Sequence, residues 1–103
     1  MGLFSFLFGE KNKVALKEIY ANGAVVIDVR SVEEYKSGHF KDSVNIPLQN
    51  IAQKINWIKQ KNMPVIAVCK SGARSGMAVS LLKNAGIEVY NGGPWTSLQQ
   101  KLA

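Results

Sequence analysis

The feature that most constrains the fold of this chain is a set of short, mostly apolar runs separated by segments with helical spacing. The apolar runs lie at residues 24–29, 65–68 and 87–90, and a shorter strand candidate lies at residues 43–46. A mostly apolar run of this length is typical of a strand covered on both faces, as in a parallel sheet. The segments with helical spacing are residues 14–21, 31–38, 47–58 and 76–85, and a last one from Pro94 onward. Strands that alternate with helices predict a single α/β domain with a mainly parallel sheet.

The ends of these elements carry recognisable signals. Ser31 and Glu34 have the spacing of a capping box, in which each side chain accepts a hydrogen bond from the backbone N–H of the other residue. Gly38 and Gly86 are placed as glycines that end helices. The glycine pair in Asn91-Gly92-Gly93 predicts a turn between the last strand and the last helix.

The charge of the chain is basic, but its cations do not form the pattern of a nucleic-acid binding surface. Thirteen Lys and Arg against seven Asp and Glu give a formal net charge of +6 over 103 residues. The lysines are scattered, without a block or an interleaved aromatic pattern, which favours a solvated surface over nucleic-acid binding. We therefore expect no nucleic-acid partner, although a basic surface of this kind attracts small anions.

The chain begins with an apolar stretch from Met1 to Phe8. It is too short to span a bilayer, and it lacks the basic region and cleavage site of a signal peptide. We treat residues 1–12 as an apolar N-terminal segment and residues 13–103 as the folded domain, with no transmembrane segment expected. Packing of the Phe and Leu side chains on the domain is the favoured interpretation, and attachment to a membrane surface or a partner is the alternative.

The single cysteine, Cys69, occupies a position that favours reactivity. A lone cysteine excludes an internal disulfide and suits the reducing cytoplasm, which is the expected location. Cys69 stands where the run 65–68 ends, and the turn Lys70-Ser71-Gly72-Ala73-Arg74-Ser75 leads from it into a helix. Unpaired backbone N–H groups at such a helix start, with the Lys70 and Arg74 cations, favour the thiolate over the thiol. We predict that Cys69 is a nucleophile.

Other polar residues follow neighbouring strands at the same edge of the predicted sheet. Asp28 and Arg30 come at the end of the run 24–29, and Asn91 follows the run 87–90. Ligands of open parallel sheets bind outside the carboxyl ends of the strands. The sequence therefore predicts one site at this edge, with Cys69 at its centre.

Several short motifs follow one another along the chain. They are Asp28-Val29-Arg30, Glu34-Tyr35, Gly38-His39-Phe40, Ser43-Val44-Asn45-Ile46-Pro47, Cys69 with its turn, and Asn91-Gly92-Gly93 followed by Trp95. In this order they resemble the single-domain rhodaneses, the thiosulfate:cyanide sulfurtransferase-like family. The resemblance implies a rhodanese-like α/β fold with a five-stranded, mostly parallel sheet and helices on both faces. It also implies a sulfurtransferase that moves sulfane sulfur from thiosulfate or a small persulfide to cyanide or a thiol, through a persulfide on Cys69.

The expected roles of the residues follow from their chemistry and from the resemblance. Cys69 is the expected catalytic residue, and its turn is expected to bind the substrate through Lys70, Ser71, Gly72, Ala73, Arg74 and Ser75. The expected structural supports are Asp28, Arg30 and Glu34, with Arg30 paired to Glu34. His39 is expected to be structural, and one Cys with one His cannot form a closed metal site. No metal and no cofactor are expected, and the partners are a small sulfur-donor anion and its acceptor, bound by a monomer.

Three functions of different class remain open. The first is an enzyme that uses small sulfur donors, and the second is a protein-to-protein persulfide relay or interaction module in which thiosulfate turnover is incidental. The third is a phosphatase or arsenate reductase, since related folds serve cysteine phosphatases. Four residues separate Cys69 from Arg74, whereas those phosphatases place five there to wrap a tetrahedral phosphate. The shorter loop favours a single sulfur atom, but the sequence does not separate the first two functions.

Overall fold

The structure, a computed structural model, describes the backbone of residues 10–103 and the side chains of residues 16–103. The helices are α1 (Glu10–Ala21), α2 (Val32–Lys36), α3 (Ile55–Gln60), α4 (Ala73–Asn84) and α5 (Trp95–Leu102). The strands are β1 (Val25–Asp28), β2 (Val44–Asn45), β3 (Val65–Cys69) and β4 (Val89–Pro94). Two short 3₁₀ turns, Leu48–Asn50 and Ala52–Lys54, precede α3. The apolar stretch Met1 to Phe8 lies outside the described residues.

The four strands form one parallel sheet in the order β2-β1-β3-β4. Val26 of β1 pairs with Ile66 of β3, and Ile66 pairs with Tyr90 of β4. All pairings are parallel, so the carboxyl ends of the strands meet at one edge. The predicted α/β class with a parallel sheet is confirmed.

The core lies on both faces of the sheet because successive residues of a strand point to opposite sides. Val65, Ala67 and Cys69 of β3 face the cluster that includes Ala78 and Leu82 of α4. Ile66 and Val68 face a second cluster, with Leu16 of α1 and Leu98 of α5. Every residue of β3 is buried, as the uninterrupted apolar run predicts. Helices therefore cover both faces, as expected.

Three expectations about the elements are wrong in detail. The described part of the chain has four strands rather than five. The single helix expected from Pro47 is divided, because the backbone first forms i to i+3 bonds, such as that from the Ile51 N–H to the Leu48 carbonyl. The segment Asn91-Gly92-Gly93 belongs to β4 and is not a turn.

Gly92 explains why a glycine pair lies within a strand. The register between β3 and β4 shifts at this point, so that Ala67 pairs with Asn91 whereas Val68 pairs with Gly93, which leaves Gly92 as the extra residue of a bulge. A Cβ atom on Gly92 would lie 2.8 Å from the side chains of Ile66 and Val68. The glycine therefore allows β4 to pack closely on β3 at the edge that carries Cys69.

We expect Gly92→Ala to destabilise the fold by about 1–3 kcal/mol, because the added methyl group overpacks the contact with β3. Gly76→Ala is the matched control: its Cβ would meet Asn91 Nδ2 at an ordinary 3.5 Å, and a helical alanine is favoured over glycine by up to about 1 kcal/mol. The free energy of unfolding in urea measures both. A Gly92→Ala protein as stable as the parent would contradict the close packing of β4.

Candidate active site

Cys69 is placed by a strand, a tight turn and a helix that follow one another in the sequence. It is the last residue of β3, and α4 begins four residues later at Ala73. Gly72 reverses the chain with φ 103°, in the left-handed region that glycine adopts without a Cβ clash. This turn brings the amino end of α4 back to the sulfur. The predicted strand-turn-helix arrangement is present, although α4 begins three residues before the predicted Gly76.

The turn surrounds the sulfur with hydrogen-bond donors. The Gly72 N–H donates to Cys69 Sγ at 2.9 Å, and the Ser75 N–H does so at 3.4 Å. The Ser75 hydroxyl oxygen lies 3.3 Å from the same sulfur. Cys69 and Ser75 are both fully buried, whereas Lys70, Ser71 and Ala73 are exposed. Of the turn residues expected to bind substrate, Gly72 and Ser75 therefore make the shortest contacts with the sulfur, and the side chains of Lys70, Ser71 and Ala73 face solvent.

These donors decide the protonation of the thiol. Burial raises the pKa of Cys69, but the hydrogen bonds from the Ser75 hydroxyl and from the backbone N–H groups of Ser75, Gly72 and Ser71 outweigh it, so the pKa lies below its ordinary value. Neutral donors that point at a sulfur stabilise its charged form without being able to neutralise it by proton transfer. The arrangement can hold an anionic sulfur nucleophile.

Asn91 of β4 completes the turn from the neighbouring strand. The Ser75 hydroxyl donates to Asn91 Oδ1 at 2.7 Å, and the Gly93 N–H donates to the same oxygen at 2.8 Å. Asn91 Nδ2 lies 3.3 Å from the Gly72 carbonyl oxygen. The sequence placed Asn91 at this edge but gave it no role. The only signal in the sequence is its position directly after the run 87–90, since the contact with Ser75 depends on the packing of β4 beside α4.

Arg74 is bound to a carboxylate of another helix. Its guanidinium makes two hydrogen bonds to Glu34 of α2, at 2.7 and 3.0 Å. Glu34 Oε1 also accepts from the Ser31 N–H at 3.1 Å, and the predicted capping box is complete. Glu34 thus joins the start of α2 to the start of α4. Because the Arg74 side chain is directed at Glu34, its contribution to the site in this conformation is to hold the turn.

The expected pairing of Arg30 with Glu34 is wrong. Arg30 instead binds Asp28, with Nη2 2.7 Å from Oδ2 and Nε 2.9 Å from Oδ1. The physical reason is proximity: Asp28 ends β1 two residues before Arg30 with its carboxylate buried, and a buried carboxylate requires a cation. Arg30 also donates to the Gly38 carbonyl at 2.7 Å and lies over the Trp95 ring. The pair joins β1 to the connection after α2.

His39 is held by Tyr35, which lies four residues earlier in the sequence. Its Nδ1 lies 2.7 Å from the Tyr35 carbonyl oxygen, and its ring stacks on Tyr35 with centroids 3.8 Å apart. Tyr35 in turn donates through its hydroxyl to the Ser43 carbonyl at 2.6 Å. These contacts fix the path of the chain between α2 and β2.

Comparison with known proteins identifies the family. The family model described as the rhodanese-like domain matches residues 12–94. The chain belongs to the rhodanese-like domain family. This rhodanese-like domain is similar to a solved rhodanese with anions from Escherichia coli, with a TM-score of 0.67, 32% identity, and coverage of 73% of this chain and 91% of the other.

Two curated relatives of this chain have different functional names. Thiosulfate sulfurtransferase PspE of Escherichia coli is 36% identical over 69 residues, which are 65% of this chain and 66% of PspE. Putative sulfur carrier protein YrkF of Bacillus subtilis is 35% identical over 63 residues, which are 61% of this chain and 34% of YrkF. The chain therefore spans only part of the length of these curated relatives. Its relatives include sulfurtransferases, which agrees with the expected class of activity.

Within residues 10–103, no helix of the rhodanese-like domain has the length and apolar character needed to cross a bilayer.

The Glu34–Arg74 pair predicts a specific acid dependence of stability. The hydrogen bonds from Arg74 and from the Ser31 backbone lower the pKa of the Glu34 carboxyl from 4.5 to about 2. A lowered folded-state pKa contributes stability above the unfolded-state value, and this contribution is lost as the pH falls from 4.5 through about 2. We expect Glu34→Gln to be less stable than the parent at neutral pH, with a shallower loss of stability across that acid range.

Glu33→Gln is the control, because it removes the same charge from the same helix and leaves the Arg74 pair in place. Thermal unfolding at a series of pH values compares the three proteins. Equal acid profiles for the parent and Glu34→Gln would contradict the role of this ion pair in the fold.

Proposed function

We propose that this chain is a rhodanese-type sulfurtransferase that carries sulfane sulfur on Cys69. The donor is thiosulfate or a low-molecular-weight persulfide, and the acceptor is cyanide or a thiol. The supporting observation is the pair of N–H donors to Sγ, from Gly72 at 2.9 Å and from Ser75 at 3.4 Å, with the Ser75 hydroxyl oxygen 3.3 Å from the same sulfur. A lone thiol stays reduced and available in the cytoplasm, where we place this reaction.

The reaction begins with attack by the Cys69 thiolate on the outer sulfur of thiosulfate. The Sγ–S bond forms as the S–S bond of thiosulfate breaks, and sulfite leaves with the bonding electron pair. The protein then holds Cys69 as a persulfide, with the negative charge on the outer sulfur. An acceptor nucleophile attacks that outer sulfur, the Sγ–S bond breaks, and its electron pair returns to Cys69 as the thiolate. No proton or external electron is needed in either half.

The residues of the turn have different roles in this cycle. Gly72 and Ser75 stabilise the inner sulfur by direct contact, and other backbone N–H groups near the start of α4 bind the outer sulfur or the sulfonate. Arg74 keeps the turn closed through Glu34. Lys70 is exposed beside Cys69 and attracts the anionic donor. Four residues separate Cys69 from Arg74, and a loop of this length fits a single sulfur atom better than a tetrahedral phosphate.

A second candidate function is transfer of the persulfide sulfur between proteins. The observation that favours it is the similarity to YrkF, which is named as a putative sulfur carrier protein. In this function too the acceptor attacks the outer sulfur of the persulfide, which is the atom transferred. A protein acceptor would use the same chemistry, and thiosulfate turnover would then be slow relative to transfer from a protein donor.

Incubation with thiosulfate should add one sulfur atom, about 32 Da, to the intact protein, and cyanide should remove it. Cys69→Ser should show neither the mass change nor any sulfur transfer, because a serine hydroxyl is not ionised here and holds no persulfide. Intact-mass spectrometry after each step provides the measurement, and circular dichroism confirms that the variant folds. No adduct with thiosulfate or with glutathione persulfide would overturn the proposal, and Cys69-dependent hydrolysis of an aryl phosphate would favour the phosphatase alternative.

Lys70→Ala should raise KM for thiosulfate by several-fold, and the effect should shrink at high salt because an exposed charge is screened. Its effect on the Cys69 pKa should be less than about one unit, since an exposed ion pair contributes at most ~1 kcal/mol. Lys83→Ala is the matched control, because it removes an exposed lysine from the far end of α4. Steady-state kinetics at two ionic strengths test this. Equal effects of the two substitutions would show that Lys70 acts only through the net charge.

A further inference from the structure

The Ser75 hydroxyl lies between the cysteine sulfur and an amide oxygen of β4. Its oxygen is 3.3 Å from Cys69 Sγ, 2.7 Å from Asn91 Oδ1 and 3.1 Å from the Gly72 carbonyl oxygen. Ser75 is fully buried. A hydroxyl has one proton to donate. The sulfur and the two oxygens therefore compete for it, and Asn91 Oδ1 is the nearest acceptor.

The orientation of the Asn91 amide is fixed by its other contacts. Oδ1 accepts from the Gly93 N–H at 2.8 Å, and Nδ2 donates to the Gly72 carbonyl at 3.3 Å. A rotated amide would place its NH₂ group against the Gly93 N–H, donor against donor. The Gly72 carbonyl already accepts from the Gly76 N–H at 3.0 Å, so it is the weaker competitor for the Ser75 proton.

The hydrogen bonds of this group depend on the charge of the sulfur. While Cys69 is a thiol, its S–H donates to Ser75 Oγ, and the Ser75 hydroxyl donates to Asn91 Oδ1. A thiolate has no proton to donate and is a strong acceptor, so the Ser75 hydroxyl turns toward Sγ. Asn91 Oδ1 then keeps only the Gly93 N–H.

We propose that Asn91 is a positioning residue that acts through Ser75, as the acceptor that holds the hydroxyl proton whenever Cys69 Sγ carries no charge. The inference rests on the proposed function for its place in the cycle. In the persulfide the charge is on the outer sulfur, and the hydroxyl donates to Asn91. When the acceptor takes the outer sulfur, the Sγ–S bond breaks with its electron pair on Sγ, and the hydroxyl turns to the leaving thiolate.

Other charges near the sulfur are unchanged by substitutions at Asn91. They are Arg74 on α4, its partner Glu34 on α2, the Asp28–Arg30 pair that ends β1, and Lys70 beside the cysteine. Tyr90 of β4 packs on the opposite face of the sheet from Cys69. A shift in the Cys69 pKa on changing Asn91 therefore comes from the turn itself, through either the Ser75 hydrogen bond or the contact of Asn91 with the Gly72 carbonyl.

The direction of that shift distinguishes the proposal from a merely structural role. Asn91→Ala removes the acceptor used in the thiol form, so the Ser75 proton becomes free for the sulfur and the pKa of Cys69 falls, by about half to one unit. If Asn91 only braced the turn, its loss would loosen the donors and raise the pKa. The measurement is the rate of alkylation by iodoacetamide as a function of pH.

The Ser75→Ala background supplies the control. Ser75→Ala should raise the Cys69 pKa by removing a donor, and adding Asn91→Ala should then change nothing, because Asn91 acts only through the hydroxyl. Asn91→Asp, a stronger acceptor, should raise the pKa and slow the discharge of the persulfide to cyanide, and part of the pKa rise should vanish in the Ser75→Ala background. The rest of the pKa rise remains in that background, because it comes from the negative charge of the new carboxylate.

A raised pKa in Asn91→Ala would overturn the proposal, and so would an equal shift with and without Ser75. Asn91 is exposed, so the variants should fold, and urea unfolding checks this. Alkylation by iodoacetamide does not depend on sulfur transfer, so it measures the Cys69 pKa independently of the proposed function. A protein that shows the predicted pKa shifts but forms no persulfide would contradict the proposed function while leaving the role of Asn91 in place.

Discussion

The convergence of neutral hydrogen-bond donors on Cys69 Sγ is the interaction on which the rest of the site depends. Burial alone would keep the thiol protonated, because a charged sulfur loses its hydration inside a protein. The N–H groups of Gly72 and Ser75 replace that hydration and favour the thiolate. They occupy the right positions only because Gly72 turns with φ 103° and α4 begins immediately after it. The reactivity of one atom therefore depends on the backbone geometry of the turn together with the Ser75 hydroxyl.

Two ion pairs hold this geometry, and their surroundings give them different roles. The Asp28–Arg30 pair is buried, so loss of either partner would leave an uncompensated charge inside the domain. The Arg74–Glu34 pair is about one-third exposed at both ends and joins two helix starts that are 40 residues apart in the chain. The buried pair fixes the end of β1. The exposed pair closes the turn around the sulfur, and protonation of Glu34 in acid removes it.

The sequence predicts much of the fold because its local signals agree. Short apolar runs such as 65–68 are typical of covered strands, and this run and the capping box of Ser31 and Glu34 are found as predicted. It does not predict the bulge at Gly92, because the lack of room for a Cβ depends on side chains of β3. The same limit explains the Arg30 pairing, which depends on where the chain buries the Asp28 carboxylate. Cys69 and its turn are local in sequence, whereas Asn91 reaches them only through the packing of β4.

The most direct test of this account is the pKa of the Cys69 thiol in the unmodified protein, followed by the ultraviolet absorbance of the thiolate as the pH is raised. The same protein unfolded in urea gives the reference, since Cys69 is the only cysteine. We predict a folded-state pKa clearly below that of a free thiol, ~8.5, and a reference value close to it. A folded-state pKa equal to the unfolded one, or above it, would show that the turn does not stabilise the thiolate and would contradict the central claim.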